Sequence, residues 1–96
     1  MNQQQMMKLR KMQKQMMEAQ EKLENTEFVG TAGGVVSVTV KGNHEVLAVN
    51  IDKEAVLDDL EMVQDMIVVA LNDANKKIDA ESQKLLGGFG GLGLGF

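Results

Sequence analysis

Leu9, Met12, Met16, Ala19 and Leu23 recur at intervals of three, four, three and four residues, within a stretch from residue 3 to residue 24 that holds no glycine and no proline. That spacing gathers apolar side chains into one narrow seam along an α-helix, over about two heptads. Most of the other residues are Gln, Met, Lys and Glu, whose unbranched side chains lose little freedom in a helix. At about 1.5 Å per residue, the helix would be roughly 33 Å long. The chain has 96 residues and its last ten are mostly glycine. Only about 60–65 residues are then left for a globule, a size at which burial is marginal. A body that small cannot cover so long a stripe, so part of the helix must project or pack on another chain.

Size also bears on assembly. A core of this kind supplies about 3–5 kcal/mol, and scaffolds of that size lean on disulfides, metals or oligomerisation. There is no cysteine and a single histidine, His44, so one chain can form neither a disulfide nor a zinc site. Oligomerisation remains, and a homodimer is expected. The lack of cysteine fits a reducing, cytoplasmic compartment. No early apolar run reads as a signal peptide and no 18 consecutive residues are apolar, so no membrane partner is expected.

After Asn25-Thr26 the pattern turns to strands. Residues 27–31, 35–41 and 45–51 are β-rich, with breaks at Gly33-Gly34 and Gly42-Asn43. A two-residue turn at Gly42-Asn43, with glycine at its first central position, sets Val40 opposite Glu45, Val38 opposite Leu47 and Val36 opposite Val49. Ser37, Thr39, Lys41, His44 and Val46 then share the other face. Asp58 reads as a helix N-cap with Glu61 as its reciprocal partner, and the helix should run from Leu60 to Leu86, closed by Gly87-Gly88. The expected fold is α+β: one domain over residues 1–86, with an arm helix (1–25), a three-stranded antiparallel sheet (27–51) and a long packing helix (58–86). Residues 87–96 would form a flexible glycine-rich tail.

The last helix is apolar over a wide arc. Val63, Ile67, Ala70, Ala74 and Ile78 suffice to cover a small sheet, and Met62, Met66 and Val69 widen the stripe beyond what a monomer needs. Met62, Val63, Met66, Ile67 and Ala70 are therefore the expected dimer contacts.

Chemistry has little to work with. Residues 88–93 match G-x-G-x-x-G, but that motif presents phosphate to a helix that follows a strand, whereas here a helix precedes it. Asp58, Asp59, Glu61 and Asp65 complement a helix dipole more simply than they hold a cation. His44 abuts a turn without a catalytic partner, and Ser37 and Ser82 lie in no nucleophile motif. No enzyme activity, cofactor, metal or small-molecule substrate is expected.

Charge is more informative. The net charge is −4, but residues 1–17 carry Lys8, Arg10, Lys11 and Lys14 with no acid, leaving −8 for the rest of the chain. Arg10, Lys11 and Lys14 lie opposite the apolar seam and Lys8 flanks it. Their mutual repulsion is what a solvated helix would relieve with Glu, and what a phosphate-binding surface keeps.

The collinear order of features resembles the YbaB/EbfC family of bacterial nucleoid-associated proteins. The matching pieces are the opening helix from Met6 to Leu23, the run from Phe28 to Gly34, the hairpin strand from Val36 to Gly42, Ile51-Asp52, the run from Leu71 to Ile78, and a glycine-rich end finishing in Phe96. The resemblance implies a homodimer with protruding helical arms, association with the nucleoid, and double-stranded DNA bound with little sequence specificity. Carried over by position, the DNA contacts would be Lys8, Arg10, Lys11 and Lys14, with Lys76, Lys77 and Lys84 as a weaker second group. The rival expectation is a protein–protein adaptor that seats its Met-rich arm on a partner.

Overall fold

The structure, a computed structural model, describes residues 2–90. Helix α1 spans Gln3–Asn25. Asn2 caps it: its side chain accepts from the Gln5 N–H at 2.9 Å, and the Gln5 side chain accepts from the Asn2 N–H in return. This reciprocal pair satisfies two of the N–H groups that a helix start leaves unpaired. At the other end the Thr26 hydroxyl donates to the Lys22 carbonyl and the Thr26 N–H to Leu23 O, which closes the last turn.

Strands β1 (Glu27–Ala32), β2 (Val36–Lys41) and β3 (Val46–Ile51) form an antiparallel meander in the order β1-β2-β3. The Gly33-Gly34 turn joins the first two, with both glycines at positive φ, where an L side chain is disfavoured. The second hairpin differs from the sequence expectation. Val38 pairs with Val49 and Val36 with Ile51, two residues further along than a two-residue turn allows. Gly42 does not take the left-handed conformation; His44 does, at φ 72. The His44 N–H donates to Lys41 O and the Lys41 N–H to Glu45 O, a three-residue loop closed by a left-handed residue. The pairing then steps from Thr39 with Ala48 to Val40 with Val46, which leaves Leu47 as the extra residue of a bulge. The bulge brings Val46 round to the face of Val40, opposite to its expected side. Gly42 is needed for a different reason: a Cβ there would overlap the Leu23 carbonyl at the end of α1.

A short helix α2 (Lys53–Asp58), N-capped by Asp52, leads into α3 (Leu60–Gly90). The α3 cap falls one residue later than expected: Asp59, not Asp58, accepts from the Met62 N–H at 3.1 Å. Helix α3 also continues through Gly87 and Gly88 to Gly90. Glycine lowers helix propensity by about 1 kcal/mol but does not forbid the conformation. The part of the expected tail from 91 to 96 lies outside the described residues.

Helix α3 lies over β1 and β2, burying Ala32, Val36, Val38 and Val40 against Val63, Ala70, Ala74 and Ile78. Ala70 and Ala74 pack so closely on Gly30 that a Cβ on that glycine would overlap the Ala70 carbonyl. The core thus corrects two expected interface residues. Val63 is 2% exposed and Ala70 0%, both consumed by the chain's own sheet, so neither has surface left for a partner. Met62, Met66 and Ile67 retain exposed area.

Candidate nucleic-acid interface

Polar contacts orient the helix on the sheet. Along β1, the Thr31 N–H donates to Asp73 and the Val29 carbonyl accepts from Lys77. Further along, Phe28 and Thr26 share a groove with Glu81, Lys84 and Leu85. Strand β1 therefore runs antiparallel to α3, and α1 joins the body near the C-terminal part of α3. Ala19, Lys22 and Leu23 line the same groove. Helix α1 extends beyond this junction with no buried residue anywhere along it. The molecule measures 68 × 19 × 14 Å, longer than the roughly 45 Å that 31 residues of α3 account for. Helix α1 is an arm.

On that arm Lys8, Arg10, Lys11 and Lys14 are all exposed, while Leu9, Met12, Met16, Ala19 and Leu23 are each half-buried. Two faces of one helix are thus sorted as their spacing requires. Among the described residues the ion pairs are Lys41–Glu45 and Lys77–Asp73, so none of the four arm cations is paired. Such a surface can hold a row of phosphates: its charges are already unneutralised, and its lysines and arginine reach outward on flexible stems.

The three lysines of α3 do not join this row as a group. Lys77 Nζ donates to the Val29 carbonyl at 2.6 Å and pairs with Asp73 at 3.4 Å, so it serves the free edge of β1. Its side chain stays 50% exposed, so the hydrogen bond and the ion pair orient it along β1 without withdrawing it from solvent. Lys76 is exposed in a shallow recess with Thr31, Val69, Asn72 and Asp73, alongside the sheet rather than on the arm. Lys84 is the α3 lysine that approaches the arm, across the groove from Lys22. Lys22 was missed in the sequence because Glu18 and Glu21 precede it and make its half of the helix look charge-balanced. Asp73 was missed as well. The Thr31 N–H bond is the largest effect and outweighs desolvation, and with the smaller contribution of the Lys77 charge it holds the Asp73 carboxyl below the usual carboxylate range.

Comparison with known proteins bears on this arrangement. A family model described as the YbaB/EbfC DNA-binding family matches residues 1–93. A nucleoid-associated protein of Lachnospira eligens is 56% identical over 82 residues, covering 79% of this chain and 71% of that protein. One of Xanthomonas axonopodis pv. citri is 48% identical over 83 residues, covering 85% and 77%. The crystal structure of an uncharacterized protein from Helicobacter pylori superposes with a TM-score of 0.73 at 30% identity, over 93% of this chain and 97% of the other. With its arm, three-stranded sheet and covering helix, this chain belongs to the YbaB/EbfC DNA-binding family.

Proposed function

We propose that this protein is a nucleoid-associated DNA-binding protein that grips duplex DNA as a homodimer, chiefly through phosphate contacts from its two arms. The observation that carries this reading is the exposed, unpaired row Lys8, Arg10, Lys11 and Lys14 on a helix that leaves the body. The family and the names of its relatives agree with it. Lys84 and Lys76 are secondary contacts. Phosphates carry no base information, and the chain has no Tyr or Trp to stack on single strands, so duplexes of unrelated sequence are the ligand. The site of action is the bacterial nucleoid; no described helix is long and apolar enough to cross a membrane.

The dimer interface is assigned to the β3 side. Helix α3 leaves Val46 and Val49 of the helix-facing side of β3 48% and 45% exposed. The His44–Asn75 contact sets the Asn75 flank of α3 above this strand, and Leu71 and Val68 share that flank at helical spacing. Met62, Met66 and Val69 share the opposite flank with Asp73, beside the edge of β1 that Asp73 and Lys77 already occupy. Ile67 borders the β3 side, so it is retained as a contact.

The test is a salt titration of duplex binding. Eight arm cations in a dimer set a limiting slope of roughly −7 in log K against log salt, and a slope of about −3 to −6 is expected because some side chains miss the backbone. Unrelated duplexes should bind within about tenfold of one another. Lys11→Glu with Lys14→Glu should abolish binding with the fold intact. No gel retardation at low salt, or retardation that survives the reversal, overturns the arm as the grip. The first outcome would favour an adaptor seated through Met7 and Met17, which are 65% and 68% exposed on the same helix.

A further inference from the structure

The groove between α1 and α3 has a volume of about 580 Å³ and plays no part in the proposed DNA grip. Its floor is apolar: Ala19 and Leu23 from α1, Phe28 from β1 and Leu85 from α3, all four half-buried. Phe28 packs against the core as well as lining the groove, so part of an aromatic side chain is left to the hollow. The rim carries Lys22, Glu81 and Lys84. Each lysine has an acid one helical turn away, Glu18 for Lys22 and Glu81 for Lys84. The rim is thus close to neutral, and the groove suits an uncharged apolar occupant.

We propose that residues 91–96 turn back from Gly90 and dock in this groove of the same chain, with Leu92, Leu94 and Phe96 on its floor. Chemistry, length and place select this segment. Residues 91–96 carry no charge, which matches the near-neutral rim. Their apolar members alternate with glycine, so an extended backbone sets all three side chains on one side. The glycines add no Cβ on the other side and leave the backbone free to reverse direction after Gly90. Gly90, the last described residue of α3, lies five residues past Leu85 and nine past Glu81, about 7.5 and 13.5 Å of helix. Six residues reach at most about 20 Å, enough to return along the whole groove. Because it is tethered, the segment meets the groove at a high effective concentration, which a free partner with the same side chains lacks. Ordering a glycine-rich segment opposes the burial, so the docked form exchanges with an open one. Docked, the segment packs on α1 and α3 together. No residue of α1 is buried, so such a wedge braces the arm at its root. The inference does not rest on the proposed DNA grip.

The chain has no native cysteine, so engineered thiols report contacts cleanly. One full-length version carries Gly95→Cys with Lys22→Cys on the rim, and a control carries Gly95→Cys with Gln83→Cys. Lys22 and Gln83 are both exposed, so the fold should tolerate both changes. Gln83 stands two residues from Leu85 on the opposite side of α3, so an undocked segment would reach either partner about equally. A short bismaleimide should close the Lys22→Cys pair within one chain several-fold more efficiently than the control pair, at a yield independent of protein concentration. Leu92→Ser with Leu94→Ser should bring that yield down to the control. The same two serines should speed amide exchange of residues 19–25 several-fold and leave β2 unchanged, as expected of a brace released. Equal yields for the two cysteine pairs overturn the proposal. So does a product that forms between chains and grows with concentration, since the groove would then take another copy's segment. Exchange in α1 that the serines leave unaltered overturns the brace. No readout involves DNA, so failure here is distinct from failure of the DNA reading.

Discussion

Replacing Gly30 with alanine should destabilise the protein, although the same change in an ordinary strand is neutral or stabilising. A glycine loses more freedom on folding than alanine, so removing one from an unstrained strand position gains about 0.4–1 kcal/mol. At Gly30 the new methyl would overlap the Ala70 carbonyl oxygen and sit 2.9 Å from Ala74 Cβ, and neither neighbour is the free end of a flexible side chain. Relief requires α3 to lift from β1 by about 1 Å, and a gap of that size forfeits a quarter to a half of each dispersion contact along the seam. Val36, Val38 and Val40, each at most 2% exposed, lie under the same helix and would lose packing with it. Overpacking of this kind costs about 1–3 kcal/mol. At 4–8 °C per kcal/mol for a domain of this size, Gly30→Ala should lower the thermal midpoint by roughly 5–20 °C at fixed protein concentration. Gly34→Ala serves as the comparison: its surroundings are open but its φ is +69, so it should lose only about 1 kcal/mol to backbone strain. A Gly30→Ala midpoint equal to or above the parent would refute the close approach of helix and sheet.

Two further outcomes follow from the same packing. Val49→Asp, on the uncovered side of β3, should reduce the mass seen by light scattering to one chain, and the parent's thermal midpoint should rise with its concentration; a parent that scatters as one chain at micromolar concentration with a fixed midpoint excludes the dimer. Asp73 has a folded-state pKa below its unfolded value, so its contribution is present above the ordinary carboxylate range and is lost as pH falls through the lowered value. Asp73→Asn should therefore flatten the acid limb of the urea-midpoint curve, and an acid limb identical to the parent's would show that the Thr31 contact is not formed.

The elements were legible in the sequence because each has a period of its own. The seam from Leu9 to Leu23 set the arm, and alternation from Val36 to Val40 set the central strand. What escaped was decided by contacts between elements. The turn signal at Gly42-Asn43 was real, but Gly42 is small to admit the end of α1, and His44 took the left-handed position that glycine was expected to supply. One residue of loop length and one bulge at Leu47 then shifted the pairing by two, which kept the apolar face of β2 and changed which β3 side chains join it. Val63 and Ala70 belong to the set whose spacing covers the sheet, and that cover leaves them no surface for the dimer contacts also expected of them, because periodicity shows how wide a stripe is and not how much of it the sheet consumes. Lys77 looked like a free cation for the same reason: its partner, the Val29 carbonyl, lies 48 residues away in sequence.

The net charge of −4 does not oppose the proposed grip, because three of the four arm cations stand further from any acid along the arm than an exposed charge is felt. At physiological ionic strength the field of an exposed charge falls off over about 8 Å. Glu18 is the nearest acid along the arm: Lys14 stands four residues and about 6 Å of helix from it, within that range, whereas Lys11 is seven residues and about 10 Å away and Lys8 lies further out still. The acids of the α2 corner lie beyond the full length of the sheet. A phosphate at the arm tip would therefore meet Lys8, Arg10 and Lys11 with little of the repulsion that the total implies. The acidic body does act at closer range. A duplex sliding from the arm toward the sheet would approach Glu18, Glu21 and Glu24, and affinity would fall as it advanced. On the proposed grip, the same chain that attracts a backbone at its tip would repel it from its body, which would confine the polymer to the arms without any steric stop. Neutralising Glu18 and Glu21 should then strengthen duplex binding and enlarge its footprint, whereas added charge at the α2 corner should alter neither.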